Sequence, residues 1–458
     1  MSDLIDALKA VLGSQVKTGS DIPLRNHADA SGLSPTPPKA LILAQTTEDV
    51  ATALRICHEH NHAVVTQGGL TGLAGGAHPQ AGEVALSLER MSGIEEIDAA
   101  SATLTALAGT PLAAVQQAAD EAGYLCGIDL GARGTCTIGG NAATNAGGNQ
   151  VLRYGMARRN ILGLEVVLAD GTVVRSLNKM LKNNAGYDWT QLFIGSEGTL
   201  GVITRVVIGL HPKPQGLQTA LCAVESFEDG LLVLRQFQQA HPGRLLVFEA
   251  MWREFMTVAT QVCGLPNAFE AEHDITLLIE ADMGEDPAGT ETFSLVLSDL
   301  YEQGLIKDAL VAQSRTERNR FWAYRETPYE YGRFLPEEIR FDVSVPLDRM
   351  TEAVAHLREE MPKNWPDAIW VVFGHVADSN IHINVAIRDM TDEIKKGIQV
   401  LVYDLVSNLG GSVSAEHGIG RIKRPYLSLS RSEPELALMA KMKQTLDPAG
   451  ILNPGRVL

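Results

Sequence analysis

The sequence predicts an α+β protein, with two small α/β lobes in its first half and an antiparallel sheet covered by helices in its second. Three observations carry this. Strand and helix patterns alternate, with glycine-rich ends, up to about residue 210; the prolines of "HPKP", residues 211–214, then break the pattern; longer strands and helices in mixed order follow. At 458 residues the chain is too long for one hydrophobic core, so two or more domains are expected.

Taken in order, "MSDLIDALKAVLGSQ" reads as an amphipathic helix without the charge and apolar blocks of a signal or transit segment. "ALILAQTTEDVATALRICHEHNHAVVTQGG" gives a strand, a helix with Thr47 as N-cap candidate, and a second strand ending in glycines. The pattern repeats from "GEVALSLERMSGIEEID" to "LTALAGTPLAAVQQAADEAGY", with a helix from about Pro111 to Ala122. "GLEVVLADGTVV" carries a hairpin signal at Asp170-Gly171, and "GVITRVVIGL" is the last strand before the prolines. Beyond them, segments such as "DITLLIEAD", "EIRFDVSVPL" and "TDEIKKGIQVLVYDLVSNLG" predict strands of an antiparallel sheet with helices on one face. The domains expected are 1–214, 215–424 and a C-terminal segment 425–458 that packs back on the first domain.

Composition narrows the function. Hydrophobic residues make up 45% and charged residues 20%, which excludes disordered and fibrous classes. With 38 Lys+Arg against 55 Asp+Glu the formal charge is −17, which opposes binding to nucleic acid or anionic lipid. An anionic substrate then requires a local basic pocket. The five cysteines are odd in number and lack CxxC spacing, which argues against a disulfide framework and a thiolate metal site. No apolar run reaches the length of a membrane span, so a cytoplasmic protein is expected.

Two glycine-rich loops, "QGGLTGLAGGAHP" and "GTCTIGGNAATNAGGNQ", place small residues where backbone N–H groups can approach an anion. Neither is a dinucleotide fingerprint of the GxGxxG type or a P-loop, and either alone is equally well read as structural. In the second half "AIWVVFG" and "NIHINVAI" read as hairpin strands joined by "HVADS", so His375 and His382 can converge. The two-residue period puts His382 and Asn384 on one strand face. Glu416 and His417 sit in "SAEHGIG", whose small residues suggest a tight, exposed turn rather than a helix interior. Two imidazoles and a carboxylate suit a catalytic divalent metal, but each histidine by itself also fits a hydrogen-bonded structural role. Arg325 and Arg340 suit carboxylate binding or surface ion pairs.

Taken together, the first loop, "TIGGNAATNAGG" and "FIGSEGTLGVIT" resemble the FAD-binding domain of the vanillyl-alcohol oxidase and p-cresol methylhydroxylase (PCMH) superfamily. "GHVADSNIHINV", "SAEHGIGRIKRPYL" and "LDPAGILNPGRVL" resemble the C-terminal domain of its FAD-linked D-2-hydroxyacid dehydrogenase branch. The resemblance spans nearly the whole chain. It implies a two-lobed PCMH-type FAD-binding domain and non-covalent FAD, since the first loop offers Leu70 and Thr71 where some members attach flavin through a histidine or cysteine. Cofactor contacts are implied at Gly68, Gly69, Leu70, Thr71, Gly72 and Leu73, at Gly139, Gly140, Asn141, Gly147 and Gly148, and at Ile203 and Asn453. It assigns His375, His382 and Glu416 to a divalent metal, zinc first with manganese, cobalt or iron as alternatives, and His417 to the general base. Ala377 and Ser379 stand where the commoner GHxGDGN pattern has glycines.

For substrate, the resemblance implies that Arg325 grips a carboxylate, with Arg340, Tyr329 and Asn384 as further contacts. The expected reaction is oxidation of a D-2-hydroxy acid to the 2-oxo acid, D-2-hydroxyglutarate or D-malate first, with hydride passing from C2 to flavin N5. D-lactate or another monocarboxylate is the alternative, and an oxygen-using oxidase a further one. A separate electron acceptor (an electron-transferring flavoprotein, quinone or cytochrome) and a homodimer are implied as partners.

Overall fold

Pro212 and Pro214 flank the point where the chain leaves one folded unit for another. In the computed structural model, which describes residues 2–285 and 287–458, the first unit comprises residues up to Gly148 with Tyr154–Lys213 and Glu416–Leu458; the second comprises Asn149–Arg153 and Pro214–Ala415. The sequence places the later boundary after residue 424, whereas the chain rejoins the first unit at Glu416. The reason is local: the Glu197 carboxylate accepts the N–H groups of Ile419 and Gly420, and the Ala74 carbonyl accepts those of Arg421 and Ile422. Those bonds hold the segment before residue 424 to the first unit.

The first unit has the two expected lobes. One sheet runs in the order Val16–Lys17, Ala40–Leu43, Val84–Ser87, Val64–Gln67, the last three strands parallel. The other sheet is antiparallel and centres on Val202–Pro212, paired with Thr103–Leu107 and Ile161–Val167. One continuous apolar core joins both. Helix Thr47–Glu59 starts one residue earlier than its sequence suggests, because Thr46 is the N-cap and forms a capping box with Asp49. The Thr47 hydroxyl instead donates to Glu165 at 2.6 Å. The tail joins the parallel lobe: Leu452 bridges Val64, and the Asn453 N–H donates to the Val64 carbonyl.

The second unit is a seven-stranded antiparallel sheet, ordered Asp308–Val311, Leu217–Val224, Ile275–Asp282, Leu245–Trp252, Ile369–Gly374, Asn380–Ala386, Glu338–Ser344. Helices cover both of its faces, not one. Helix Phe227–Ala240 packs Gly230 near Leu277 and Phe227 against Trp252. On the opposite face Tyr324, of helix Arg315–Glu326, clusters with Leu221, Met251, Leu278 and Phe373. Two covered faces explain why the central strands read as near-continuous apolar runs rather than alternating ones. Among the described residues no helix is long and apolar enough to cross a membrane.

Candidate active site

Backbone makes the first unit's site. Gly68, Gly69, Leu70, Thr135 and Thr137 line a cleft of about 810 Å³ in the first unit. A Cβ on Gly69 would lie 2.0 Å from the Thr135 carbonyl oxygen, and one on Gly148, at φ +132°, 1.7 Å from that of Asp129. Only glycine permits these approaches. The cleft joins this glycine backbone to the side chains of Arg25, Asp29, Glu89 and Arg90, and its bare N–H groups and two arginines fit the pyrophosphate of FAD.

The other expected cofactor residues fall into different roles. Gly139 is small because helix Ile138–Ala143 packs closely: its Cβ would lie 2.5 Å from that of Ala108. Gly140 donates its N–H to the cap residue Thr137, and Asn141 and Gly147 are buried nearby. Thr71, Gly72 and Leu73 lie beyond the cleft-lining residues. Ile203 is a core side chain, opposite Val166 in the sheet. Asn453 spends its amide within the protein, accepting the Thr66 N–H and donating to the Glu197 carbonyl.

Side chains make the second unit's site, on the sheet face covered by Arg315–Glu326. Strand register puts His382 opposite both Asp342 and Phe373, Phe373 opposite Met251, and Asn384 opposite Arg340. The hairpin brings the His375 and His382 rings to 5.5 Å between centroids. Behind them, buried Glu249 accepts from His375 Nδ1 with one oxygen and from Arg325 Nε, at 2.6 Å, with the other. The Arg325 guanidinium lies over the Phe373 ring at 4.7 Å. Burial pushes the Glu249 carboxyl up, but the contacts from His375 and Arg325 more than offset this and hold it at about 2, a carboxylate. Asp342, fully buried, faces His382 Nδ1 at 3.8 Å. In the loop between the histidines, burial raises the Asp378 carboxyl to about 6.

The face continues in both directions. Glu280, also buried, receives Arg318, Trp322 and Thr219. Arg318, Trp322 and Arg325 recur at helical spacing on one side of Arg315–Glu326, whose N-cap is Ser314. At the other end Glu338 takes Arg340 Nε at 2.7 Å and Asn384 Nδ2 at 3.1 Å. Arg340 is exposed, and Tyr329 is 66% exposed at the surface.

Glu416 and His417 lie in a bend of the first unit, as the small residues suggest, but half-buried rather than exposed. The Gly148 N–H donates to Glu416 at 2.9 Å. Ala415, the residue before Glu416, donates its N–H to the carbonyl of Asp342, His382's partner across the strands. Glu197 anchors the far side of the bend at 2.7 and 2.8 Å from the Ile419 and Gly420 nitrogens. Burial pushes its carboxyl above the usual range although the two amides and Lys423 pull it down. Sequence reasoning missed Glu197, Glu249, Glu280 and Asp342. For the last three the available signal was an acid in the interior of an apolar strand, in "LLVFEAMW", "ITLLIEAD" and "EIRFDVS".

Comparison with known proteins breaks the chain at the same prolines, but the second match runs on through the tail that folds with the first unit. Residues 38–176 match the family described as "FAD binding domain", and 213–457 match "FAD linked oxidases, C-terminal domain". The mitochondrial D-2-hydroxyglutarate dehydrogenase of Bos taurus is 40% identical over 92% of this chain and 77% of its own. The Xanthomonas citri D-2-hydroxyglutarate dehydrogenase is 37% identical over 92% and 89%. A Schizosaccharomyces pombe protein whose name proposes a mitochondrial D-lactate dehydrogenase is 35% identical over 90% and 80%. In fold, p-cresol methylhydroxylase superposes with a TM-score of 0.79 at 17% identity, covering 100% of this chain and 96% of its own.

Proposed function

Because the chain belongs to the FAD-linked oxidase family, in its D-2-hydroxyacid dehydrogenase branch, we propose that it oxidises a D-2-hydroxy acid, D-2-hydroxyglutarate first, using FAD and a divalent metal. The observation that carries the substrate class is Arg325, a buried guanidinium beside His375, on the helix that covers the histidine face of the sheet. Its Nε is spent on Glu249, and its remaining N–H groups are the donors that can grip a small carboxylate on a chain of net charge −17.

In this reading His375, His382 and Glu416 hold the metal, a nitrogen and oxygen donor set that suits zinc, manganese, cobalt or iron. When bound, FAD supplies the hydride acceptor and the metal lowers the pKa of the substrate hydroxyl. His417 accepts the hydroxyl proton as C2 gives up its hydride. Arg325 orients the substrate carboxylate, and Asn384 and Arg340 contact its distal end. Electrons then leave to a separate acceptor, an electron-transferring flavoprotein, quinone or cytochrome. A D-lactate dehydrogenase is the second reading, favoured by the engagement of Arg340 with Glu338, which leaves less charge for a second carboxylate.

The test is an anaerobic spectrum before and after adding D-2-hydroxyglutarate or D-lactate, with and without prior chelation. Bleaching by hydroxyglutarate that chelation abolishes and zinc restores is expected. Bleaching unaffected by chelation would refute the metal role, and faster bleaching by lactate would replace the substrate. Peroxide formed in step with substrate loss in air would argue for an oxidase.

A further inference from the structure

We propose that Glu249 is a positioning residue that fixes the tautomer of His375 and the pose of Arg325 together, so that one buried carboxylate sets both a metal ligand and the substrate anchor. The proposal rests on the metal and substrate roles given above. A guanidinium has only donors. Arg325 Nη2 lies 3.4 Å from His375 Nε2, so Nε2 is the ring's acceptor and, in the neutral ring, Nδ1 carries the proton. Glu249 is the group that takes that proton's hydrogen bond. Its other oxygen takes the Arg325 Nε–H, so both oxygens are committed.

Two consequences follow. The nitrogen left for a cation is Nε2, with its lone pair directed away from Glu249. That lone pair faces Arg325 Nη2, so a cation taking it releases this donor while Nε stays on Glu249. The released N–H is then available to a substrate carboxylate, which couples metal loading to anion binding through one residue pair. Carboxylate partners of this kind typically contribute 10- to 100-fold to metal affinity.

The experiment uses full-length, FAD-loaded, metal-stripped protein titrated with zinc alone, followed by flavin reduction with D-2-hydroxyglutarate at saturating zinc. A glutamine turns its oxygen to only one of His375 and Arg325 and sets an N–H donor against the other, so Glu249→Gln should weaken zinc binding by about 10- to 100-fold. FAD content should be unchanged and KM raised more than kcat is lowered. Glu249→Asp, which keeps the charge, should recover part of the zinc affinity. Arg325→Met, which uncovers Nε2, should bind zinc at least as tightly as the parent. Parental zinc affinity in Glu249→Gln would overturn the proposal. If that variant loses FAD, Glu249→Asp decides, and unchanged affinity and KM there would overturn it equally. A parent protein that takes up no zinc would sink the metal reading itself.

Discussion

The glycine cleft and the histidine face are built from opposite materials. In the first unit glycine backbone sets the fit, and what matters is an absence: no Cβ at Gly69 or Gly148, because carbonyl oxygens stand where one would go. In the second unit the walls are side chains, and what matters is a presence: carboxylates at Glu249, Asp342 and Glu280, buried among apolar neighbours and each facing a basic group. The first kind of site is broken by adding one methyl group. The second is broken by removing one charge.

That contrast predicts a graded set of outcomes. The largest belongs to Gly69→Ala, which forces a methyl carbon onto the Thr135 carbonyl. Purified protein should lose its flavin absorbance entirely, whereas Gly134→Ala, whose Cβ would meet nothing within 4 Å, should retain it. Equal flavin content in the two would end the idea of a backbone-built cradle. Next, His417→Ala should keep FAD but slow flavin reduction by roughly 10²- to 10⁴-fold, the usual range for loss of a general base. Rapid stopped-flow reduction in that variant would remove the base assignment.

Glu280→Ala comes third. It leaves Arg318 and the Trp322 N–H without their acceptor. It should lower stability by about 1–3 kcal/mol in denaturant melts without changing flavin content. A fourth variant tests whether charge-built clusters in the first unit serve stability alone. Burial pushes the Glu165 carboxyl up, but Thr47, Thr204, Arg205 and Arg175 hold it below its ordinary value. A folded value below the unfolded one gives stability that is present above about pH 4.3 and is lost as pH falls through the folded value. The stability gap between the parent and Glu165→Gln should therefore be full near neutrality and shrink in acid melts, with flavin reduction unaltered. A gap that widens in acid would reverse the assignment.

The smallest effect is expected at Arg340. Its ion pair with Glu338 is solvent-exposed on the arginine side, so Arg340→Ala should change stability by less than about 1 kcal/mol. If Arg340 reads a distal carboxylate, KM should rise for D-2-hydroxyglutarate and not for D-lactate. Equal changes for both acids would remove it from substrate recognition.

Much of this was legible in the chain itself, for local reasons. The Asp170-Gly171 hairpin, the helix after Pro111 and the His375–His382 hairpin are set by turn chemistry and two-residue periodicity acting over short stretches. Sheet coverage was not legible as one-sided or two-sided, since an apolar run reads alike as a doubly buried strand or a buried helix segment. The capping threonine was missed by one residue because Thr46 and Thr47 are equally good caps in isolation; Glu165, more than a hundred residues away, engages Thr47.

The sequence by itself determined the glycine loops, the two histidines, the acid and histidine of "SAEHGIG", and the proline break between the units. Each is a chemical type at a short spacing. Only the tertiary structure decided which acid stands behind which base. Glu249 meets His375 across 126 residues and Arg325 across 76, through strand registers and a helix docking angle that no local pattern encodes. A buried charge needs its counter-charge wherever the fold delivers it, and that delivery is a property of packing, not of spacing along the chain.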